Sequence, residues 1–597
     1  MLASRKGSRQ SKLTLDVESF PSIHDARPSY GAILIPIQHG ITDYTAQSFP
    51  SSPISTNSSS SLSKQSEEEV GPAAAYSEEH VFQDAAILEH WQAIYESVGY
   101  EGRHLIDSRF TWSYKEEIEL VRKLDFHVIL LVWVMFFAMD LIRQNLGRAL
   151  ASRSEHEHGN FFGDIGLTQN DINKGQFVYL LAFLLMEIPS GLLSKWVGPE
   201  NWVPIQIFAW SMVGVGQSMI KNKTGFYIVR ALLGMAQGGF VPDMCLYLTY
   251  FYTSNEMNIR MSWFYTVLGA SQIIGSLLSI ALLNLNGLFE IEGWRYLFGT
   301  EACISLLVGF AAVALMPSTI TKTTTWIIRK PWLSMHEQKI LVNRLLRDDP
   351  TKGDMNSHQA VTWEGIWDCL SDKSSLPIYA LTIVSLIPYQ PPKMYLSFIL
   401  SSLGFNTFMS NLLAIPGTIL FMINTIWMTR LATHYGERSL ATAITNVWVF
   451  PCLAMLLTLP DTTKGHWGWV RYGVLSLISA VPYPLSFLVG WVSQNSHSVQ
   501  ARTVSLCLVN ISAQLAGIVS TFAYTDSDQP YYRHGNIRLA FLSCLSILFC
   551  VIVRYYYVAI NQERANQWQA LTEEQQVNYR INTKDYGSSR IDARLAY

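Results

Sequence analysis

The sequence predicts an all-α membrane protein of twelve transmembrane helices in two six-helix halves. Three observations carry that prediction. Four membrane-length apolar runs, at 176–196, 202–220, 225–251 and 261–283, follow one another almost without pause, and eight more share the chain. A bilayer core takes about 20 apolar residues to cross as a helix. Lipid offers backbone groups no partner, so each run has to be helical. The runs also divide six and six around one long polar stretch, residues 317–374. Finally, 49% of the 597 residues are apolar and only 15% charged, the balance of a chain largely immersed in lipid.

What remains polar sorts in order along the chain. Residues 1–120 read as a cytoplasmic N-terminal tail, largely disordered, serine-rich at 51–63, and without the apolar region of a cleaved signal peptide. Within it Val81, Ala85, Leu88, Trp91 and Tyr95 recur at helical spacing and predict a short amphipathic helix. The first half, residues 121–316, holds spans 126–146, 176–196, 202–220, 225–251, 261–283 and 295–316. The second, residues 375–560, holds spans 376–399, 408–429, 439–459, 469–492, 503–524 and 537–559. Residues 561–597 form a second tail. The central stretch carries eight lysines and arginines between Lys322 and Lys373, whereas the connection 284–293 has none. Enrichment of that kind marks the cytoplasmic side, and with twelve spans both termini share it.

A net charge of −3 gives no sign of a nucleic-acid partner. The seven cysteines form no C-x-x-C pair and fall mostly inside apolar runs, as small packing residues do. There is no P-loop, no H-E-x-x-H and no convincing metal constellation; His156 and His158 sit in a polar loop. The chain is therefore expected to be no enzyme, to hold no metal or cofactor, and to lack an ATP-driven engine.

Charged side chains inside spans cost about 3 kcal/mol each at the membrane centre, so they are candidate functional groups. Asp140 and Arg143 share one face of the first span; they either neutralise each other or present Arg143 to a cavity. The fourth span reads R-A-L-L-G-M-A-Q-G-G-F-V-P-D, placing Arg230, Gly234 and Gln237 in line, with Gly239 following. A lone buried arginine suits a carboxylate, sulfonate or phosphate, unless it pairs with an acid across the bundle. Asp243, thirteen residues beyond Arg230, projects to roughly the opposite face of a continuous helix. Gln272 belongs to a narrow polar stripe on the fifth span, while Asn510 and Gln514 share a face of the eleventh. Glu187 and Glu301 are acids in apolar surroundings, each able to carry protons or to serve as a salt-bridge partner. Pro482 and Pro484 interrupt the tenth span and create a hinge. Lys393, after two prolines, sits near the outer end of the seventh, where a gate would lie.

From about residue 120 onward the chain resembles the major facilitator superfamily, specifically the fungal anion:cation symporters related to allantoate permease. Gly191-Leu-Leu-Ser-Lys195-Trp-Val-Gly198-Pro199 resembles the family's second-to-third loop, with Lys195 where the superfamily usually has Asp. Arg230-x-x-x-Gly234 with Gly238 and Gly239 is similar to its fourth-helix motif. Gly293-Trp294-Arg295 with Glu301, and Asp528-Gln-Pro530-Tyr-Tyr-Arg533-His-Gly535, follow in order. The Q-G-G-F-x-P-D form looks most like the sulfonate and alternative sulfate branch. Many relatives carry Glu where this chain has Gln237.

The resemblance implies uptake of a small organic or inorganic anion together with protons, by alternating access in a fungal plasma membrane. In that reading Arg230, Gln237, Arg143, Gln272, Asn510 and Gln514 contact substrate, and Asp140, Glu301 and Glu187 couple protons. Gly191, Lys195, Gly198, Gly234, Gly239, Pro482 and Pro484 serve gating or structure. The alternative is a nutrient sensor with a transporter fold, or a carrier of a different carboxylate.

Overall fold

The computed structural model describes residues 80–597 except 152–160, 325–329, 355–366, 368, 395, 397–406, 461–465, 497–498, 521, 525–527, 529–530, 584–589 and 593. The serine-rich segment, His156, His158 and Pro530 lie outside the described residues.

Among the described residues twenty-one α-helices follow in order. Ahead of the bundle come α1 (Ala85–Val98) and α2 (Tyr114–Leu124), which runs through one π-turn into α3 (Leu130–Ala151). The rest of the first half is α4 (Phe161–Ile165), α5 (Gln169–Val197), α6 (Pro199–Ser218), α7 (Lys223–Gln237), α8 (Phe240–Thr249), α9 (Ser254–Tyr265), α10 (Val267–Leu283) and α11 (Gly293–Leu315). α12 (Met335–Asp348) occupies the central stretch. The second half is α13 (Leu376–Leu386), α14 (Gln390–Met394), α15 (Thr407–Tyr435), α16 (Arg438–Thr458), α17 (His466–Ser479), α18 (Pro484–Asn495), α19 (Val499–Ser520) and α20 (Arg533–Gln569), with α21 (Glu573–Asn582) beyond.

Among the described residues nine helices are long and apolar enough to cross a membrane. The third expected run is α6, a 20-residue helix. The fourth and seventh are split, α7 from α8 and α13 from α14. Twelve spans in two halves is consistent with this architecture.

Local chemistry sets the ends. Thr168 and Asp171 form a capping box at the start of α5, satisfying backbone donors that the helix cannot. Gly198, at φ 92°, ends α5 and admits Pro199 as the first residue of α6, where a missing N–H costs nothing. The tenth run breaks between α17 and α18, as its prolines predict. There Thr425 Oγ1 accepts from Tyr483 N at 3.1 Å and Thr445 donates to the Pro482 carbonyl at 3.3 Å. Those bonds satisfy backbone groups that the hinge would otherwise strand in lipid.

The fourth run, read from the sequence as continuous over 225–251, is broken at Gly238–Gly239, where Gly239 takes φ 85°. Packing explains the break. A Cβ at Gly234 would lie 2.3 Å from the Tyr179 carbonyl, at Gly238 2.7 Å from that of Phe183, and at Gly239 2.3 Å from Ser190 Cβ. α5 and α7–α8 thus approach along a stripe of small residues until their backbones touch.

α1, α2, α12 and α21 gather on one side of the bundle, called here the tail side. α1 buries Ile87, Trp91, Ile94 and Tyr95, and the Tyr95 hydroxyl donates to the Pro350 carbonyl at 2.8 Å. Asn343 of α12 bonds Leu105 and Asp107 in the preceding segment, and Arg347 donates to the Phe110 carbonyl at 2.7 Å.

Candidate functional site

The two halves meet where α5 and α8 pack on α19, and where α9 and α10 pack on α15 and α9 on α18. Their hydrogen bonds lie at mid-depth or toward the tail side. Arg143 Nη2 donates to Gln514 Oε1 at 3.1 Å, Asn510 Nδ2 to Glu187 Oε1 at 2.5 Å, and Gln494 Nε2 to the Ser254 carbonyl at 2.8 Å. Arg502 Nη2 lies 2.6 Å from Asp349 Oδ2, both almost wholly buried, and so ties the central stretch to α19. Burial by itself would raise the Asp349 carboxyl. The charges of Arg502 and Lys352 and the Thr351 hydroxyl more than offset it and hold it below the usual carboxylate range. The molecule is closed on its tail side.

At mid-depth Arg143 of α3, Gln514 of α19 and Lys393 of α14 are only partly buried. Arg143 stands 5.8 Å from the Phe183 ring centre, and Lys393 Nζ lies 3.7 Å above that of Phe421. Arg230 of α7 is 1% exposed. Its guanidinium lies 4.7 Å from the Tyr179 ring centre, Nη2 donates to Gln176 Oε1, and Nε and Nη1 have no hydrogen-bond partner. Among the described residues none of these three cations is in an ion pair. The alternative of an acid across the bundle for Arg230 is not what the structure contains. Arg143 and Arg230 act electrostatically on one another and both act on Tyr179. Tyr179 in turn donates to Gln237 Oε1 at 2.8 Å, and Gln237 donates to the Met139 carbonyl at 3.3 Å. Gln237 is fully buried in this network, linked to Arg230 through Tyr179.

Asp140 does not hydrogen-bond Arg143. It accepts from Ser271 Oγ and, at 2.5 Å, from Gln144 Nε2, although it feels the charges of Arg143 and Arg148 and acts on Lys393. Glu301 is held by Arg148 at 2.8 Å, with side-chain exposures of 0% and 9%. Arg148 also donates to the Ser271 carbonyl at 2.8 Å and lies against α10 at Gly275, where a Cβ would meet its Cζ at 2.1 Å. Gln272 is half-buried with no hydrogen-bond partner among the described residues. Gly234 serves the α5–α7 contact rather than an open cavity. Lys195 is buried in the last turn of α5, close to Gly198, instead of lying in an open loop. Gly191 faces Cys507 of the other half, with 3.1 Å between a Cβ there and Sγ. Asp528 accepts from Gly535 N at 2.8 Å, so that motif caps the start of α20.

Sequence reasoning missed Arg148, Tyr179 and Ser271 as members of this layer. Arg148 lies just past the end assigned to the first span. Its signal was a second arginine five residues after Arg143, near in sequence to the membrane face yet facing Glu301 in the fold.

The chain is 42% identical over 518 residues to the "Uncharacterized transporter YIL166C" of Saccharomyces cerevisiae, covering 86% of this chain and 94% of that one. It is 25% identical over 398 residues to a "Putative tartrate transporter" of Agrobacterium vitis, covering 66% and 78%. With the "High-affinity nicotinic acid transporter" of Saccharomyces cerevisiae it shares 23% over 460 residues, 76% and 80% of the two chains. Among solved structures a proton:xylose symporter superposes with a TM-score of 0.55 at 14% identity, over 73% of this chain and 96% of that one, a likeness of fold. Residues 128–521 match the Major Facilitator Superfamily, and with twelve spans in two halves closing around a cationic layer, the chain belongs to that superfamily of membrane transporters.

Proposed function

We propose that the chain imports a small anion together with protons, by alternating access in a fungal plasma membrane. Its substrate would be a sulfonate or sulfate, or a carboxylate such as allantoate or a vitamin acid. The observation that carries this reading is the cluster of Arg143, Arg230 and Lys393 from both halves, none neutralised by an ion pair. Fixed positive charge in a low-dielectric site favours an anion, and a guanidinium with two free donors suits the paired oxygens of a carboxylate or sulfonate. Tyr179, Phe183 and Phe421 beside those cations provide apolar walls for the remainder of the molecule. The names of two relatives, tartrate and nicotinic acid, are of organic acids. The ordered motifs resembling the anion:cation symporters point the same way, and the Q-G-G-F-x-P-D form favours the sulfonate and sulfate branch.

The lysines and arginines of the central stretch support a cytoplasmic tail side, the side on which contacts between the halves gather. A monoanion moving inward against the membrane potential loses about 2.3 kcal/mol per 100 mV. Accumulation therefore calls for coupled cations, and Asp140 beside Arg143 and Glu301 beside Arg148 would exchange those protons. Growth of a transport-deficient fungus on single sulfur, nitrogen and vitamin sources, with and without this chain, tests the reading. Rescue on one anion is expected, with uptake that rises from about pH 7 to about pH 5 and collapses with a protonophore. Growth rescue without measurable uptake would instead support the sensor reading.

A further inference from the structure

Two buried acids lie outside the cationic layer, on the tail side of it, where α5, α8 and α19 meet. Glu187 is 0% and Asp243 1% exposed. Glu187 Oε1 accepts from Asn510 of the other half, while its Oε2 has no partner. Asp243 Oδ2 accepts from Ser190 Oγ at 3.1 Å, while its Oδ1 has none. A Cβ at Gly191 would lie 3.8 Å from that free Oδ1 and 3.1 Å from Cys507 Sγ, and Cys507 donates to the Glu187 backbone carbonyl at 3.7 Å. Gly191 thus stands between Asp243 and Cys507 of α19, Cys507 reaches the Glu187 backbone, and the two acids are near enough to act on one another electrostatically. The break at Gly238–Gly239 is what brings Asp243 here; on a continuous helix it would have pointed roughly the opposite way from Arg230.

The groups around the pair are named by the elements that carry them. Arg143 of α3 acts on Glu187; Lys195 of α5 and Glu200 of α6 lie further toward the tail side; Cys245 of α8, Tyr265 of α9 and Cys507 and Arg502 of α19 complete the surroundings. Neither acid is in an ion pair with any of them. Two neighbouring buried carboxylates without a paired cation do not both ionise.

We infer that Glu187 and Asp243 form a proton-binding site in which one proton must be held for the two halves to close on the tail side. With one of the two acids protonated, the pair carries a single charge and Asn510 can seal it. When the proton leaves to water on the tail side, two like charges face each other against α19, and the closed arrangement loses its stability relative to the open one. The inference rests on the reading of the chain as a carrier whose halves open and close, and makes the pair a pH-sensitive latch on tail-side closure, separate from the protons that travel with the substrate.

The test uses the full chain in lipid nanodiscs, spin-labelled through cysteines introduced at the exposed positions Asn255 and Tyr435, one in each half on the tail side, with the native cysteines replaced. The distance between labels is measured by pulsed electron resonance across pH. In the otherwise native chain the long-distance population should grow with pH, by up to about tenfold per unit, the limit for release of one proton. Glu187→Gln with Asp243→Asn should hold the short distance at every pH, and each single substitution should flatten the response. A native distance that ignores pH overturns the inference, and so does a double variant that responds as the native chain does. Should the double variant not fold, Glu187→Gln decides by the same criterion. Uptake is measured in parallel. If a protonophore leaves native uptake intact, the proton-coupled reading itself fails; proton-driven uptake with an unchanged pH response in the variants sinks only the inference.

Discussion

The Arg502–Asp349 pair gives the sharpest quantitative handle on tail-side closure. Asp349 caps the C-terminal end of α12 and Arg502 lies in the first turn of α19; their side chains are 7% and 3% exposed, and Nη2 and Oδ2 stand 2.6 Å apart. Arg502 also donates to the Ser493 and Ser496 carbonyls at 3.2 and 3.1 Å. Asp349→Ala removes the carboxylate and leaves a guanidinium that cannot neutralise itself, the case in which breaking a buried pair costs about 3–5 kcal/mol. Arg502→Met is less costly, because Asp349 keeps the Thr351 hydroxyl at 2.6 Å and the nearby charge of Lys352; a loss of about 2 kcal/mol is expected from one charge-assisted bond. The double variant should cost less than the sum, leaving a coupling of about 2 kcal/mol in a double-mutant cycle. Unfolding in mixed micelles at neutral pH supplies the four free energies. Because the Asp349 carboxyl is held below its ordinary range, the pair stabilises the fold fully above the unfolded value of about 4 and loses that contribution only as pH falls further. The coupling should therefore be the same from about pH 5 to about pH 8. A coupling under about 0.5 kcal/mol, typical of an exposed pair, would refute the claim that this contact is a buried clamp.

Three further outcomes are expected. Arg230→Lys keeps the charge but loses the two-pronged donor, so anion binding to purified protein should weaken by about tenfold or more, and Arg230→Gln should abolish it; unchanged affinity in a folded Arg230→Gln protein would make the arginine structural. Glu301→Gln strands Arg148 and should cost about 3–5 kcal/mol of stability; at a temperature where it is still folded, uptake that keeps its full pH dependence removes Glu301 from the proton path. Gly234→Ala pushes a methyl group into the Tyr179 carbonyl, 2.3 Å away, and should lower folded yield and stability by about 1–3 kcal/mol, whereas Gly216→Ala, with nothing within 4 Å, should be tolerated.

How much of this could be read in advance differs from element to element. Long apolar runs announce helices because lipid permits no other backbone state, so twelve spans, the six-and-six division and the polar central stretch were all legible. So were the hinge at Pro482–Pro484 and the ordered motifs that carry the superfamily resemblance. The charged residues within the spans were legible as well, since a charge there costs too much to be kept idly: Asp140, Arg143, Arg230 and Glu301 all stood out as candidates. Their partners did not. Helical periodicity gives the face on which a side chain sits, not what stands opposite, and opposite neighbours here lie tens to hundreds of residues away. Only the tertiary structure sets Glu301 against Arg148, Asp140 against Ser271, Arg143 against Gln514 and Asp349 against Arg502. It alone breaks the fourth run at Gly238–Gly239, because that break is imposed by the backbone of α5 pressing on glycines, a contact between helices that no single run encodes. Asp243 changes its neighbourhood as a result. Sequence by itself determined that charge would be buried; packing decided which charges are paired and which, like Arg230 and Glu187, are left without an ion pair.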